Sequence, residues 1–282
     1  MNQIGIMQGR LSPPYEGMIQ SFPHLHWQKE FELANRIGFQ CIEWVLDNNL
    51  EKNPLMYKNE LNSIVELSDY HSIPVNAICC DYLMEQSLVS TNRSIRNSSY
   101  DTLVYLIEEV SSKLDICNIE LPLIGKTGLG SKENWQEYLD ILQSLRQYLD
   151  YSEVKLLIET DLNQEEMIEF FTYIETEKIL INYDTGNSAY WGFDQLSEIG
   201  LYGHLIGSVH IKDCTPERYS VPLGEGNVDF PRIFSLLKRI DYSGDFILQM
   251  ARGSDDYSTA QKSFSFTKKL LNNFFYGTST SQ

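Results

Sequence analysis

The chain has little that would suit it to membranes, nucleic acids or disulfide chemistry. No stretch of its 282 residues approaches a bilayer span of about 20 apolar residues. The start, MNQIGIMQGR, lacks the basic-then-apolar order of an export signal. A cytoplasmic protein with no membrane partner is therefore expected. Lys and Arg number 22 against 39 Asp and Glu, a formal charge of −17, which repels polyphosphate and anionic lipid at long range. That argues against a nucleic-acid partner but leaves room for a small anion gripped by local arginines. The five cysteines (Cys41, Cys79, Cys80, Cys117, Cys214) are odd in number and contain no CxxC pair; they read as free, mostly buried thiols in a reducing compartment. There is no Pro-, Gly- or Ser-rich linker and no internal repeat, and no GxGxxG follows the first strand-like run.

What the chain does contain is a regular alternation. Apolar, strand-like runs recur at Ile4–Met7, Cys41–Val45, Val75–Cys79, Asn118–Leu121, Val154–Glu159, Leu180–Asp184, Ile206–Ile211 and Asp245–Met250. Helical periodicity lies between most of them: Trp27–Ile37 with Gly38 as its stop, Arg93–Leu114, Trp135–Leu149, Gln164–Ile174 behind the cap Asn163, Phe230–Ile240 behind Asp229, and a last helix near Ser258–Phe275. Parallel neighbours need crossovers, and the usual crossover is a helix. Eight strands alternating with helices predict a single (β/α)8 TIM barrel over residues 1–276, with a disordered tail at Gly277–Gln282.

In such barrels chemistry gathers at the C-terminal strand ends. Here strand one leads into Gln8-Gly9-Arg10, strand two contains Glu43, strand three ends at Cys79-Cys80-Asp81, and strand four holds Glu120. Strand five ends in Glu159, six in Asp184, seven carries His210 and eight Gln249. A carboxylate closing an apolar strand carries a desolvation cost that calls for a cation or hydrogen bonds. Glu159, Asp184 and His210 together predict a metal centre.

The segments IEWVLD, LLIETDLNQE, NYDTGN, VHIKD, PLGEGNVDF and GDFILQMAR resemble those of the xylose isomerase-like TIM-barrel superfamily of sugar isomerases, tagatose- and xylulose-phosphate-type 3-epimerases and inosose dehydratases. The resemblance implies a divalent ion held by residues of strands five to eight, which map onto Glu159, Asp184, His210 and Gln249. The fourth position is glutamate in the epimerase branch. An amide oxygen can ligate a hard cation, but it cannot accept a proton at neutral pH. The oxygen-rich donor set suits Mn²⁺, Mg²⁺ or Co²⁺, with Zn²⁺ as an alternative. The resemblance further implies a sugar or sugar-phosphate substrate, isomerised or epimerised by proton transfer through a metal-stabilised enediolate. Glu159 is then the base, and the second catalytic group is Glu165, six residues on, with Glu43, Glu225 or a bound water as the other options. It also implies homo-oligomers, which are frequent in that branch.

Around this centre the candidate substrate contacts are Arg10, Glu43, Asn187, Trp191, Arg218 and Arg252. The guanidinium groups suit a phosphate or carboxylate, and Arg252 follows strand eight, where barrels often bind phosphate. Asn187 replaces a substrate-contacting histidine of some epimerases, and Trp191 offers an apolar wall for a sugar face. Lys212 and Asp213 read as a rim pair that orients His210 or the loop, and the glycines of GEG (224–226) as loop-shaping. Three functions compete with the epimerase: a polyol or inosose-type dehydratase, a catalytically inactive sugar-binding barrel, and a multi-metal endonuclease, which five histidines and the negative charge argue against.

Overall fold

The computed structural model describes residues 2–277, so positions 278–282 of the expected tail lie outside the described residues. The barrel strands are β1 (Ile4–Met7), β2 (Cys41–Val45), β3 (Val75–Cys79), β4 (Asn118–Leu123), β5 (Lys155–Thr160), β6 (Ile179–Asp184), β7 (Ile206–Ile211) and β10 (Asp245–Leu248). They close in the order β1-β10-β7-β6-β5-β4-β3-β2, every neighbouring pair being parallel. Between β7 and β10 an antiparallel hairpin is inserted, β8 (Asp213–Thr215) with β9 (Arg218–Val221). Helices wrap the outside, among them Trp27–Ile37, Lys132–Leu149 and Phe230–Arg239. This is the expected (β/α)8 barrel.

Strand alternation decides which residues reach the barrel axis. Trp44 faces outward, its ring 5.5 Å from Trp27 and 5.2 Å from Phe22, so Cys41, Glu43 and Val45 face inward. Tyr183 faces outward, its hydroxyl donating to Glu198 at 3.1 Å, which turns Asn182 and Asp184 inward. Phe246 stacks outward on Phe234 at 4.8 Å, leaving Ile247 inside. Met7, Cys41, Val45, Cys79 and Ile247 accordingly form a small apolar cluster separate from the large core between strands and helices. The barrel interior is thus greasy around these five and highly charged around His210.

Caps fall where the sequence places them. Asn163 accepts the N–H groups of Glu165 and Glu166, and the Glu166 side chain completes a capping box; Asp229 accepts from Arg232 at 3.2 Å. The helix expected over Arg93–Leu114 runs that length but widens over Leu106–Val110. All five cysteines are free, and Cys117 departs from the buried expectation by being exposed.

The loop after β1 is clamped from two sides. Glu30, buried in the first outer helix, accepts from the N–H groups of Gly9 (2.8 Å) and Leu11 (3.2 Å) and from the Ser12 hydroxyl (2.5 Å). Arg252 donates to the carbonyls of Gly9 (2.7 Å), Ser12 (2.9 Å) and Ile19 (2.9 Å). Gly9 sits at φ 84° with Ser21 O only 2.7 Å from where a Cβ would lie, so no other residue fits there. Burial pushes the Glu30 carboxyl up to about 7, against the pull of its three donors. Since the folded value lies above the unfolded one, this group's stabilisation is full below about pH 4.5 and declines until about pH 7. Denaturant unfolding should therefore show wild type losing roughly 1–3 kcal/mol relative to Glu30→Gln between pH 4.5 and 8; a difference independent of pH would contradict it.

Candidate metal centre and cavity

At the C-terminal mouth of the barrel, His210 of β7 is fully buried among carboxyl groups. Its Nε2 lies 2.8 Å from Glu43 Oε2 and 3.4 Å from Glu120 Oε2, and its Nδ1 lies 3.6 Å from Glu159 Oε2. Two sets of donor atoms lie within 4.8 Å of one another, Glu159–Asp184–His210 and Glu43–Glu120–His210. Burial pulls the imidazole down, but Glu43, Glu159 and Asp184 more than offset this and raise it to about 9. Glu120 is driven well above the usual carboxylate range, first by burial and then by the charges of Glu159 and Glu43.

Each candidate ligand is aimed by neighbours. Asp184 Oδ1 accepts the N–H groups of Gly186 (2.7 Å) and Asn187 (2.8 Å), capping the helix Thr185–Trp191 that DTGN opens. This leaves Oδ2 free to face inward. Glu159 accepts from Asn182 Nδ2 at 2.8 Å on one oxygen and from Asn187 Nδ2 at 2.6 Å on the other. Asn187 is in turn fixed through its Oδ1, which accepts from Lys212 Nζ (2.8 Å) and the Tyr219 hydroxyl (2.7 Å). The Lys212 stem crosses directly over Gly186, where a Cβ would meet its Cγ at 2.5 Å, and its ammonium lies 3.5 Å from the Tyr219 ring centre. Asp213 points the other way, accepting from the N–H groups of Gly224, Gly226 and Val228 at 2.8, 2.9 and 3.2 Å. The expected Lys212–Asp213 pair is thus two devices, one ordering the centre and one folding the GEG loop.

Asp184 Oδ2, His210 Nδ1 and Gln249 Oε1 are all buried without a hydrogen-bond partner among the described residues. Orphaned buried polar atoms are rare unless an ion or water satisfies them. Glu43 Oε2, Glu120 Oε2 and His210 Nε2 are orphaned in the same way, and carboxylate, imidazole and amide donors of this kind are the type that a hard divalent cation takes. Gln249 is held beside β7 by its own N–H, which donates to Ile211 O at 3.1 Å, and its Nε2 donates to Gln20 Oε1 at 2.9 Å. Gln20 also receives Arg10 (3.0 Å) and donates to Asp81 Oδ2 at 2.7 Å.

The centre opens onto a cavity of about 520 Å³ walled by Arg10, Gln20, Asp81, Glu120, Glu159 and Gln249, among others. Burial brings the Arg10 guanidinium down to about 10, and burial raises the Asp81 carboxyl to about 6. Of the expected substrate contacts only Arg10 lies on this wall. Glu43 is sealed behind His210, because β2 turns it toward the barrel axis. Asn187 supports Glu159 from behind. Trp191 packs on Phe193 at 5.7 Å beside a gap of about 20 Å³ behind the centre. Arg218 is exposed on the hairpin, and Arg252 is engaged by three carbonyls and by Asp256 at 3.3 Å. Glu165 is exposed in the first turn of the helix Gln164–Phe171, since Asn163 and Glu166 close that turn away from the cavity. Asp81, Gln20, Lys212 and Tyr219 join the site beyond the residues expected to line it. Tyr219 lies on an inserted hairpin that carries no barrel periodicity; Asp81 had the same strand-end signal as Glu159.

A parallel eight-stranded barrel with a buried histidine–carboxylate cluster at its C-terminal mouth defines the class, an α/β barrel whose clustered acids and imidazole could hold a metal ion. More particularly, the chain belongs to the xylose isomerase-like TIM barrel family, whose model matches residues 31–270. It is 24% identical over 243 residues to the L-ribulose-5-phosphate 3-epimerase UlaE of Escherichia coli O157:H7, covering 79% of this chain and 82% of that one. Its fold is similar to that of a D-allulose 3-epimerase from Methylomonas sp., with a TM-score of 0.77 at 19% identity over 96% of this chain and 98% of that one. It is also similar to that of the IOLI protein with a binding zinc atom, with a TM-score of 0.77 at 16% identity over 98% and 100% of the two chains.

The engagement of Arg252 makes a specific prediction. Arg252→Ala should lower the melting temperature by several degrees, as expected for losing several charged hydrogen bonds that are in part buried, of about 1.5–3 kcal/mol. Unchanged stability with a selective loss of anion binding would return Arg252 to the substrate.

Proposed function

We propose that this chain is a divalent-metal-dependent sugar epimerase or isomerase in which Glu159, Asp184, His210 and the amide oxygen of Gln249 hold one ion. The observation that carries this reading is that donor atoms of Glu159, Asp184 and His210 lie within 4.8 Å of one another, Asp184 Oδ2 and His210 Nδ1 being orphaned, with the orphaned Gln249 Oε1 on the same cavity wall as Glu159. The oxygen-rich set favours Mn²⁺, Mg²⁺ or Co²⁺ over Zn²⁺. Such an ion would polarise a substrate carbonyl and stabilise the negative charge that develops beside it.

The chain's own groups then divide the work. Glu159 removes the proton next to the carbonyl; its two oxygens are pinned by Asn182 and Asn187, which fixes its direction without protonating it. Lys212 and Tyr219 hold Asn187 in the orientation that donates to Glu159. Gln249 cannot return a proton, so the second proton-transfer group comes from the carboxyls already on the wall, Asp81 or Glu120. Return to the opposite face at the same carbon gives an epimer, and return at the neighbouring carbon gives an aldose–ketose isomer. Because Gln249 replaces a carboxylate, a dehydratase that begins with the same proton abstraction is the second reading.

Metal analysis of protein purified without chelator should find one divalent ion per chain, lost in Asp184→Asn. With the ion present, ketoses in D₂O should take up deuterium at the carbon next to the carbonyl, and Glu159→Gln should slow that exchange by roughly 10²–10⁴-fold. Asn187→Ala should cost about 10–100-fold in metal affinity or rate. Loss of water from a polyol without epimer formation would favour the dehydratase; an ion-loaded protein that exchanges nothing would sink the enzyme reading.

A further inference from the structure

The cavity wall carries an uneven charge. Arg10 and Lys212 are its two cationic side chains, against five acids, Asp47, Asp81, Glu85, Glu159 and Glu120, the last pushed toward its neutral form. Both cations are already engaged, Arg10 with Ile19 O (2.5 Å) and Gln20 Oε1 (3.0 Å), Lys212 with Asn187 Oδ1 (2.8 Å) and 3.6 Å from Asp184 Oδ2. A bound divalent ion would not change the balance farther out, since Glu159 and Asp184 offset its charge. Three of the five acids, Asp47, Asp81 and Glu85, come from the loops after β2 and β3, which walls the cavity beyond the metal centre with negative charge.

The places where a barrel usually grips phosphate are also closed to it here. The loop after β7 is folded into the hairpin, with Arg218 exposed outside the cavity. The arginine after β10, Arg252, donates to Gly9, Ser12 and Ile19 carbonyls. What remains is apolar surface from Met18, Ile19, Met84, Pro122 and Ile124, which suits the C–H faces of a neutral sugar ring or chain. A phosphate dianion in this cavity would face an excess of acids, with two nitrogens of the Arg10 guanidinium already donating to Ile19 O and Gln20 Oε1 and only its buried Nε without a partner among the described residues, an unfavourable like-charge arrangement.

We propose that the substrate is an uncharged sugar, a free ketose rather than its phosphate ester. This rests on the sugar-directed reading above, but it turns on binding and not on turnover. The direct test is equilibrium dialysis of the Mn²⁺-supplemented protein against matched pairs, L-ribulose with its 5-phosphate and D-allulose with its 6-phosphate, at low and near-physiological salt. The free sugar should bind at least ~10-fold more tightly. The ester's weak binding should improve as screening shortens from about 30 Å to about 8 Å, while the free sugar's stays level. An ester that binds equally or better, or that weakens as salt rises, overturns the proposal, and so does failure of both forms to bind. Deuterium exchange on the same pairs keeps the two readings apart. Exchange that prefers the ester would leave the epimerase reading standing and remove this one, whereas tight binding of the free sugar with no exchange would do the reverse.

Discussion

Four buried carboxyl groups, from Glu43, Glu120, Glu159 and Asp184, crowd the imidazole of His210 in the water-poor interior of the barrel. Ionised carboxylates taken out of water are stable only when paired, and one imidazole with Lys212, 3.6 Å from Asp184 Oδ2, is too little positive charge for four of them. In the protein alone the strain is met by protons: the imidazole holds its proton up to about pH 9, and Glu120 is pushed toward its neutral form. A divalent cation would meet it more directly, at the atoms that have no partner among the described residues. The rest of the mouth follows from this electrostatic demand, from the amide pair that aims Glu159 to the lysine that crosses the helix after β6.

The two donor sets around His210 differ in what surrounds them. Glu43 and Glu120 approach Nε2 from the β2–β4 side, where Glu43 is sealed from the cavity. Glu159 and Asp184 approach from the β5–β6 side, where the surrounding amides, backbone N–H groups and Lys212 fix every ligand oxygen but one. Each set reaches the cavity through one carboxylate, Glu120 in the first and Glu159 in the second, and in the second the carboxylates are aimed by amide and backbone donors, as a ligand shell requires. Gln249 stands on the same cavity wall, and its amide N–H group joins the Gln20–Asp81 chain.

Much of the fold was legible because strand and helix periodicities do not depend on distant contacts. β1, β2, β3 and β7 run over the residues their apolar runs mark out, and Asn163 and Asp229 cap helices as their chemistry demands. Glu159, Asp184 and His210 were legible because a polar or charged group that ends an apolar strand needs a partner to offset its burial. The supporting residues were not. Arg252 sits where a phosphate ligand would, but its three carbonyl partners come from the far end of the chain, and no local pattern announces them. Glu165 has the spacing of a substrate contact, yet the capping box at Asn163–Glu166 turns it outward. Tyr219 reaches the centre from a hairpin inserted after β7, a tertiary feature with no period of its own.

The chemistry of the barrel mouth turns on where the cation goes. Anomalous diffraction at the manganese edge from crystals grown with Mn²⁺ locates it without reference to activity or substrate. A single peak bounded by Glu159, Asp184, His210 Nδ1 and the Gln249 amide oxygen is the predicted result; a peak between Glu43, Glu120 and His210 Nε2, or none at the barrel mouth, would contradict it.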